Sequence, residues 1–239
     1  MKKNIVISRQ FNGPPTTGNG GYVCGLLADP ISGAAEATLK VPPPLEADLV
    51  LESDGESSRL LAGDQLIGEA RKVDLDLELP FEIDAAAVLD GLPDTYGMSE
   101  QSPFSTCFVC GPDRDHGDGL CIYTHPIDGH EGAVAGRWTL DAGFADSDGM
   151  VDKRHIWAAL DCPGYFACSI GDMALLARMT TKILAPLRCE GDALIVGWTI
   201  AKNGRKRDCG TALVGRDGTL HAISRGLWIT LDPSRVATS

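Results

Sequence analysis

The sequence predicts an α+β fold in which one unit occurs twice, each copy an antiparallel sheet wrapped around a central helix. Three observations predict it. Matching segments recur in the same order in the two halves of the chain. Each half holds one short helical stretch that is apolar nearly all round. A run of two-faced strands, separated by turn residues, follows each helix.

The recurrence is specific. Gly21-Tyr22 in NGGYVCGLLA and Gly164-Tyr165 in CPGYFACSI lie 143 residues apart. Lys40 matches Lys182, and Pro44-Leu45 matches Pro186-Leu187, both at an offset of 142 residues. QLIGEAR (65–71) resembles TLHAISR (219–225) at an offset of 154. The order is kept and the offset grows where the second copy has a longer hairpin, as duplication followed by insertion would leave it.

Each element then has a local reason. NIVISR (4–9) alternates like a strand. Turn residues follow, and a short helix begins near Asn19, a favourable N-cap. Strands are expected near 34–42, 47–53, 58–62 and 64–79, separated by Pro42-Pro43-Pro44, Ser53-Asp54-Gly55 and Gly63-Asp64. In the second copy, strands near 119–124 and 132–140 precede a helical segment near 153–170. Further strands are expected near 174–187, 192–202, 206–215 and 218–231. Asn203-Gly204 and Asp217-Gly218 between apolar runs are strong hairpin signals. The units are therefore 1–80 and 118–239, joined by a linker, 81–117, that holds the helical stretch IDAAAVLDGL and a Cys-x-x-Cys turn. A helix apolar on every side belongs inside a sheet. Two such units side by side pair the edges that one alone would expose. This is the double hotdog arrangement.

Composition narrows the function. The chain has 239 residues, 44% of them hydrophobic, and a net charge of −12. That balance leaves no broad basic face for a nucleic acid. The densest basic cluster is Lys202, Arg205, Lys206 and Arg207. It reads either as a solvated hairpin tip or as a contact for a small anionic ligand such as a nucleotide-bearing thioester. No apolar run approaches a membrane span, and the run after Lys3 is too short for a secretion signal. A soluble, cytoplasmic protein is expected, with its eight cysteines mostly reduced core thiols.

CFVCGPDRDHGDGL (107–120) and WAALDCPGYFA (157–167) resemble segments of the hotdog-fold acyl-CoA thioesterases, especially the phenylacetyl-CoA type. GPPTTGNGGYVCGLLA (13–28) is similar to the helix start of tandem-hotdog thioesterases. The resemblance implies hydrolysis of an acyl-CoA or similar small thioester, with no cofactor. It also implies a site between the two units. The His-Gly-Gly that often opens the family's helix is missing from the second unit, where His155 is followed by Ile156-Trp157. The first unit has Gly20-Gly21 but no helix carboxylate. One site per chain is therefore expected, in a pseudo-dimer that pairs again into a homodimer or higher homo-oligomer.

The candidate residues follow from what thioester hydrolysis requires. Free N–H groups at a helix start can polarise a carbonyl, so Gly20 and Gly21, capped by Asn19, are the candidate oxyanion donors. Asp161, the one carboxylate in an apolar segment, is the candidate base or nucleophile. Asn19, Tyr22, Trp157 and Tyr165 are the candidate substrate contacts. Two other readings of Asp161 stand beside this one. If a helix starts at 162–163, Asp161 is only its N-cap; if it starts near Asp152, Pro163 kinks it. Gly20-Gly21 also reads as a plain capped helix packed tightly on its neighbours. The Cys107-x-x-Cys110 pair, even with His116, His125 and Cys121, matches no strong zinc spacing, so it reads as a turn and no metal is expected. Two rival functions remain on the same fold: a non-catalytic acyl or small-ligand binder, and a hydratase using His155 with Asp161.

Overall fold

The computed structural model describes residues 1–231. Residues 232–239, the end of the second unit as delimited in the sequence, lie outside the described residues. The first copy contributes β1 (Lys2–Ile5), α1 (Gly20–Ala28), β2 (Ala35–Leu39), β3 (Leu49–Ser53), β4 (Ser57–Ala62) and β5 (Gln65–Lys72). The linker holds α2 (Ala85–Gly91). The second copy contributes β6 (Tyr123–Pro126), β7 (Ala133–Thr139), α3 (Lys153–Ala159), α4 (Cys162–Cys168) and β8 (Ala174–Ile183). It ends with β9 (Asp192–Asn203), β10 (Lys206–Gly215) and β11 (Leu220–Thr230).

All strands join one 11-stranded sheet in the order β1-β3-β4-β5-β2-β8-β11-β10-β9-β7-β6. Read from its middle, the order is the same in both directions. β2 and β8 are followed outward by β5 and β11, then β4 and β10, β3 and β9, β1 and β7. Only β6 has no counterpart. The two copies meet through antiparallel pairing of β2 with β8, and Ala37 lies opposite Met179, 142 residues later. That spacing is the offset at which Lys40 matches Lys182, so each residue of this pair faces its own counterpart across a pseudo-twofold axis. The fold is a double hotdog, as expected.

α1, α3 and α4 pack together against one face of the sheet, and α2 lies on the other. Eight of the nine residues of α1 are buried, and α3 and α4 are enclosed in the same core with Phe108, Trp138 and Phe166. A second apolar cluster covers the outer face of the second copy. There Leu75, Leu77, Leu79, Phe81 and Ile83 pack on Leu194, Val196, Trp198 and Ile223. This corrects the strand expected over 64–79. β5 ends at Lys72, and the alternating burial of residues 73–79 comes from side chains dipping onto a sheet face, without a backbone ladder.

The helix expected over 153–170 is also corrected: it is two helices. α3 ends at Ala159, and α4 begins at Cys162 with Pro163 in its first turn. Proline cannot donate to the turn before it, so the carbonyls ahead of it need other partners. Thr211 Oγ1 donates to the Leu160 carbonyl at 2.9 Å.

His155 sits in α3 within an aromatic cage of Phe11, Tyr22, Phe108 and Phe144. Its Nδ1–H donates to the Phe144 carbonyl at 3.2 Å. Burial holds its pKa below the usual histidine value. The unfolded chain therefore takes up this proton at a higher pH than the folded one, and the stability His155 contributes above its unfolded pKa is lost as pH falls. Urea unfolding at pH 7 and pH 5 is expected to show a smaller acid-side loss in His155→Gln than in the wild type.

Candidate functional site

The site grows from two helix starts that face each other. In the first copy, Asn19 caps α1: its Oδ1 accepts from the Tyr22 amide at 2.9 Å. Asn19 is buried, so its side-chain NH2 also needs partners. One is Asp161 Oδ2, at 3.0 Å.

In the second copy, Asp161 occupies the N-cap position of α4 but makes no side-chain capping bond. The carboxylate turns away from its own helix. Oδ2 accepts from the Gly21 amide at 2.8 Å as well as from Asn19. Oδ1 is buried and has no partner. Thus both local readings were partly right, since the helix does restart at 162, yet the side chain serves the other copy. Asp161 is 3% exposed. Burial pushes its carboxyl up to about 7, against the opposing pull of the Gly21 amide.

Gly21 is required here for close approach. A Cβ at Gly21 would lie 2.6 Å from the Asp161 Cβ and 2.7 Å from the Trp157 carbonyl oxygen. One at Gly25, a turn later, would lie 2.9 Å from the Arg154 Cα. The two glycines let α1 lie directly on α3, and that contact brings the Gly21 amide to the carboxylate.

This geometry corrects the expected oxyanion pair. The Gly21 amide is engaged by Asp161, and the Tyr22 amide by Asn19. The Gly20 amide remains as the donor at this helix start without an assigned partner. Gly20, Asn19 and Asp161 line a cavity of about 200 Å³ at the junction of the copies. Its walls are mostly apolar: Leu39 and Pro43 come from the first copy, Leu176, Trp228 and Ile229 from the second.

Three of the expected substrate contacts lie elsewhere. Tyr22 stacks on Phe11 with ring centroids 4.0 Å apart, inside the core. Trp157 is buried beneath α1 and borders a different hollow with Gly25 and Ala28. Tyr165 donates to the Asp172 carbonyl at 2.8 Å. None of the three lines the cavity with Asp161. They carry the apolar side of helices whose other function is core packing. The aromatic residues that do line the cavity are Phe104 and Trp228. His155 is likewise absent from the cavity lining, so the His155–Asp161 pair of the hydratase reading is not assembled.

Cys107 and Cys162 also line the cavity. Their Sγ atoms are 3.6 Å apart, and Cys110 joins them. Nothing in the local spacing pointed to Cys162 as the partner of the Cys107-x-x-Cys110 turn, since 52 residues separate it from Cys110. The signal was only its position beside Asp161. His116, His125 and Cys121 do not enter this cluster. The basic residues lie at the β9–β10 hairpin, where Arg207 is paired with Asp172 at 2.9 Å.

Comparison with known proteins supports the architecture. No protein-family model and no curated protein sequence matches the chain. Among solved structures it is similar to the TesB protein of Mycobacterium avium subspecies paratuberculosis, with a TM-score of 0.64 at 11% identity over 97% of this chain and 93% of that one. It is similar to a protein assigned as a thioesterase from Novosphingobium aromaticivorans, with a TM-score of 0.60 at 11% identity over 97% and 96% of the two chains. A hot dog fold protein of unknown function from Alicyclobacillus acidocaldarius gives a TM-score of 0.59 at 10% identity, covering 97% and 94%. These identities speak to the fold, and no helix among the described residues is long and apolar enough to cross a membrane. By architecture the chain is a tandem hotdog protein whose solved structural neighbours include a protein assigned as a thioesterase and a TesB protein.

Proposed function

We propose that the protein hydrolyses a small acyl thioester, an acyl-CoA or close analogue, in the cavity between its two copies. The observation that carries this reading is the Asp161 carboxylate, buried at an apolar cavity with one oxygen fixed by the opposite helix and the other unpartnered. A buried charge with a free oxygen costs stability, and the contacts of Oδ2 across the copies leave Oδ1 available at the site. The Gly20 amide takes the thioester oxygen, and the positive end of α1 favours charge developing there. Asp161 Oδ1 takes a proton from a water that attacks the carbonyl, and passes it to the sulfur as the C–S bond breaks, releasing acid and thiol; if Oδ1 attacks the carbonyl itself, the thiolate leaves and water then cleaves the resulting anhydride, its proton going to the thiolate. Gly21 and Asn19 hold Oδ2 and so orient the carboxylate.

A cavity of about 200 Å³ is below the ~300–1,000 Å³ of common ligand pockets. It suits a compact acyl or aryl group. The non-catalytic binder draws on one observation, that Asp161 occupies an amide that would otherwise face the substrate. A panel of short, aryl and long acyl-CoAs with detection of free thiol decides between them. Turnover of compact substrates is expected; tight binding without thiol release would favour the binder.

The basic hairpin tip gives the nucleotide of CoA a place to rest. Lys206 is exposed and pairs in register with Ile229, a cavity wall, and the Arg205 carbonyl accepts from the Thr230 amide. Lys206→Glu is expected to raise KM for an acyl-CoA about two- to fivefold, the worth of one exposed charge contact. KM for the corresponding N-acetylcysteamine thioester, which lacks the nucleotide, should stay unchanged.

A further inference from the structure

Thiols are weak hydrogen-bonding groups, and buried cysteines usually behave as small apolar side chains. Cys107, Cys110 and Cys162 do not fit that description. Their Sγ atoms all lie within 4.8 Å of one another, and Cys107 and Cys162 approach to 3.6 Å. All three are buried, at 3%, 3% and 6% exposure. They come from two segments of the chain: the turn before β6 and the first residue of α4. With zinc–sulfur bonds of about 2.3 Å, sulfurs at the corners of a tetrahedron stand about 3.8 Å apart. The cluster already has that scale without a metal.

The turn itself is built to present sulfur. Gly111 follows Cys110, and its amide donates to the Cys107 carbonyl at 2.9 Å. A Cβ there would come within 2.6 Å of the Cys107 nitrogen and oxygen, so only glycine closes the turn this tightly. The Cys162 sulfur lies 3.6 Å from the Cys107 sulfur, and either thiol can be the donor. The Asn19 side-chain nitrogen lies 3.9 Å from the Cys107 sulfur.

We propose that Cys107, Cys110 and Cys162 bind one Zn²⁺ ion through three thiolates, with the fourth coordination position toward the cavity. Binding replaces the three thiol protons, which pass to solvent. Soft sulfur donors in a closed triad select zinc over hard cations such as Mg²⁺ or Ca²⁺. Cys107 and Cys162 line the cavity and Cys110 does not, which leaves the open position on the cavity side for a water. A single Cys107–Cys162 disulfide is the competing use of the short contact, but it would leave the Cys110 thiol and the sulfur-presenting turn without a role. The zinc site does not rest on the thioesterase reading, and its test needs no substrate.

The test uses the full chain, untagged and kept reduced. Elemental analysis of the purified protein is expected to give one zinc per chain. Anaerobic exchange with Co²⁺ should produce thiolate-to-cobalt charge-transfer absorption and the visible bands of a tetrahedral ion. Cys110→Ser and Cys162→Ser should each weaken zinc retention by more than the roughly tenfold cost of an outer-shell change. Cys121→Ser and Cys189→Ser should retain it as the wild type does. If the serine variants fail to fold, the cobalt spectrum of the wild type still decides. Metal-free protein that gives no cobalt bands with all its thiols reduced would overturn the proposal. So would a Cys107–Cys162 disulfide in protein purified without oxidant, or full zinc retention in folded Cys110→Ser and Cys162→Ser.

Discussion

Asp161→Asn is expected to lower kcat for thioester hydrolysis by about 10²- to 10⁴-fold, the usual worth of a positioned acid–base group. KM should change little, because the substitution keeps the shape of the side chain and the cavity it borders. The Asn Oδ1 can still accept from the Gly21 amide and the Asn19 side chain, as Asp161 Oδ2 does now. Stability should not fall. The carboxylate is buried with Oδ1 unpartnered, so a neutral amide removes a charge that the fold holds at a cost. The combined result, a folded protein of equal or higher unfolding midpoint with its activity lost, separates a functional carboxylate from a structural cap. An inactive variant with a strongly lowered midpoint would return Asp161 to a structural role.

Gly21→Ala is expected to have the second large effect, and a different one. Its Cβ would meet the Asp161 Cβ at 2.6 Å and the Trp157 carbonyl at 2.7 Å. One of these is backbone, so α1 and α3 must separate. Overpacking of this kind costs about 1–3 kcal/mol, which in a domain of this size lowers Tm by several degrees. The same shift lengthens the Gly21–Asp161 bond, so kcat should fall together with stability. Gly20→Ala provides the contrast. Its Cβ would meet the Leu176 Cβ and Cδ2 at 3.0 Å, an overlap of a few tenths of an ångström that involves no backbone atom. Thermal melts should change less there than in Gly21→Ala, while under the proposed mechanism the added methyl group beside the Gly20 amide obstructs the carbonyl and lowers kcat. Equal melting temperatures for Gly21→Ala and wild type would contradict the close helix contact.

The duplication and the double hotdog were legible because they are written in periodicities and turn residues, which are local. The matches around Lys40 and Lys182 even carried the offset at which the two copies face each other across β2 and β8. Residues 73–79 misled for a physical reason. Alternating burial marks a chain lying on an apolar face whether or not it finds a ladder partner. At the site, Asp161 was legible as a carboxylate out of place among apolar neighbours. Its partners were not. The Gly21 amide and the Asn19 side chain are 140 and 142 residues away, and only packing of α1 on α3 brings them to it. Glycines at a helix start signal both open amides and close packing. Gly20 and Gly21 look alike in sequence; Gly21 carries the close packing, and the open amide is the role we propose for Gly20. Tyr22, Trp157 and Tyr165 were expected as substrate contacts because apolar helix residues do not declare which side faces a void. The cysteine triad was hidden for the same reason as the Asp161 partners, since its third member comes from a distant helix.

The measurement that tests the central claim most directly is a crystal structure with a non-hydrolysable acyl-CoA analogue, in which a methylene group replaces the thioester sulfur. The analogue's carbonyl oxygen should lie within hydrogen-bonding distance of the Gly20 amide, with Asp161 Oδ1 facing the carbonyl carbon and the acyl group beside Leu176 and Trp228. An analogue bound elsewhere on the sheet, or one whose carbonyl points away from both residues, would contradict it.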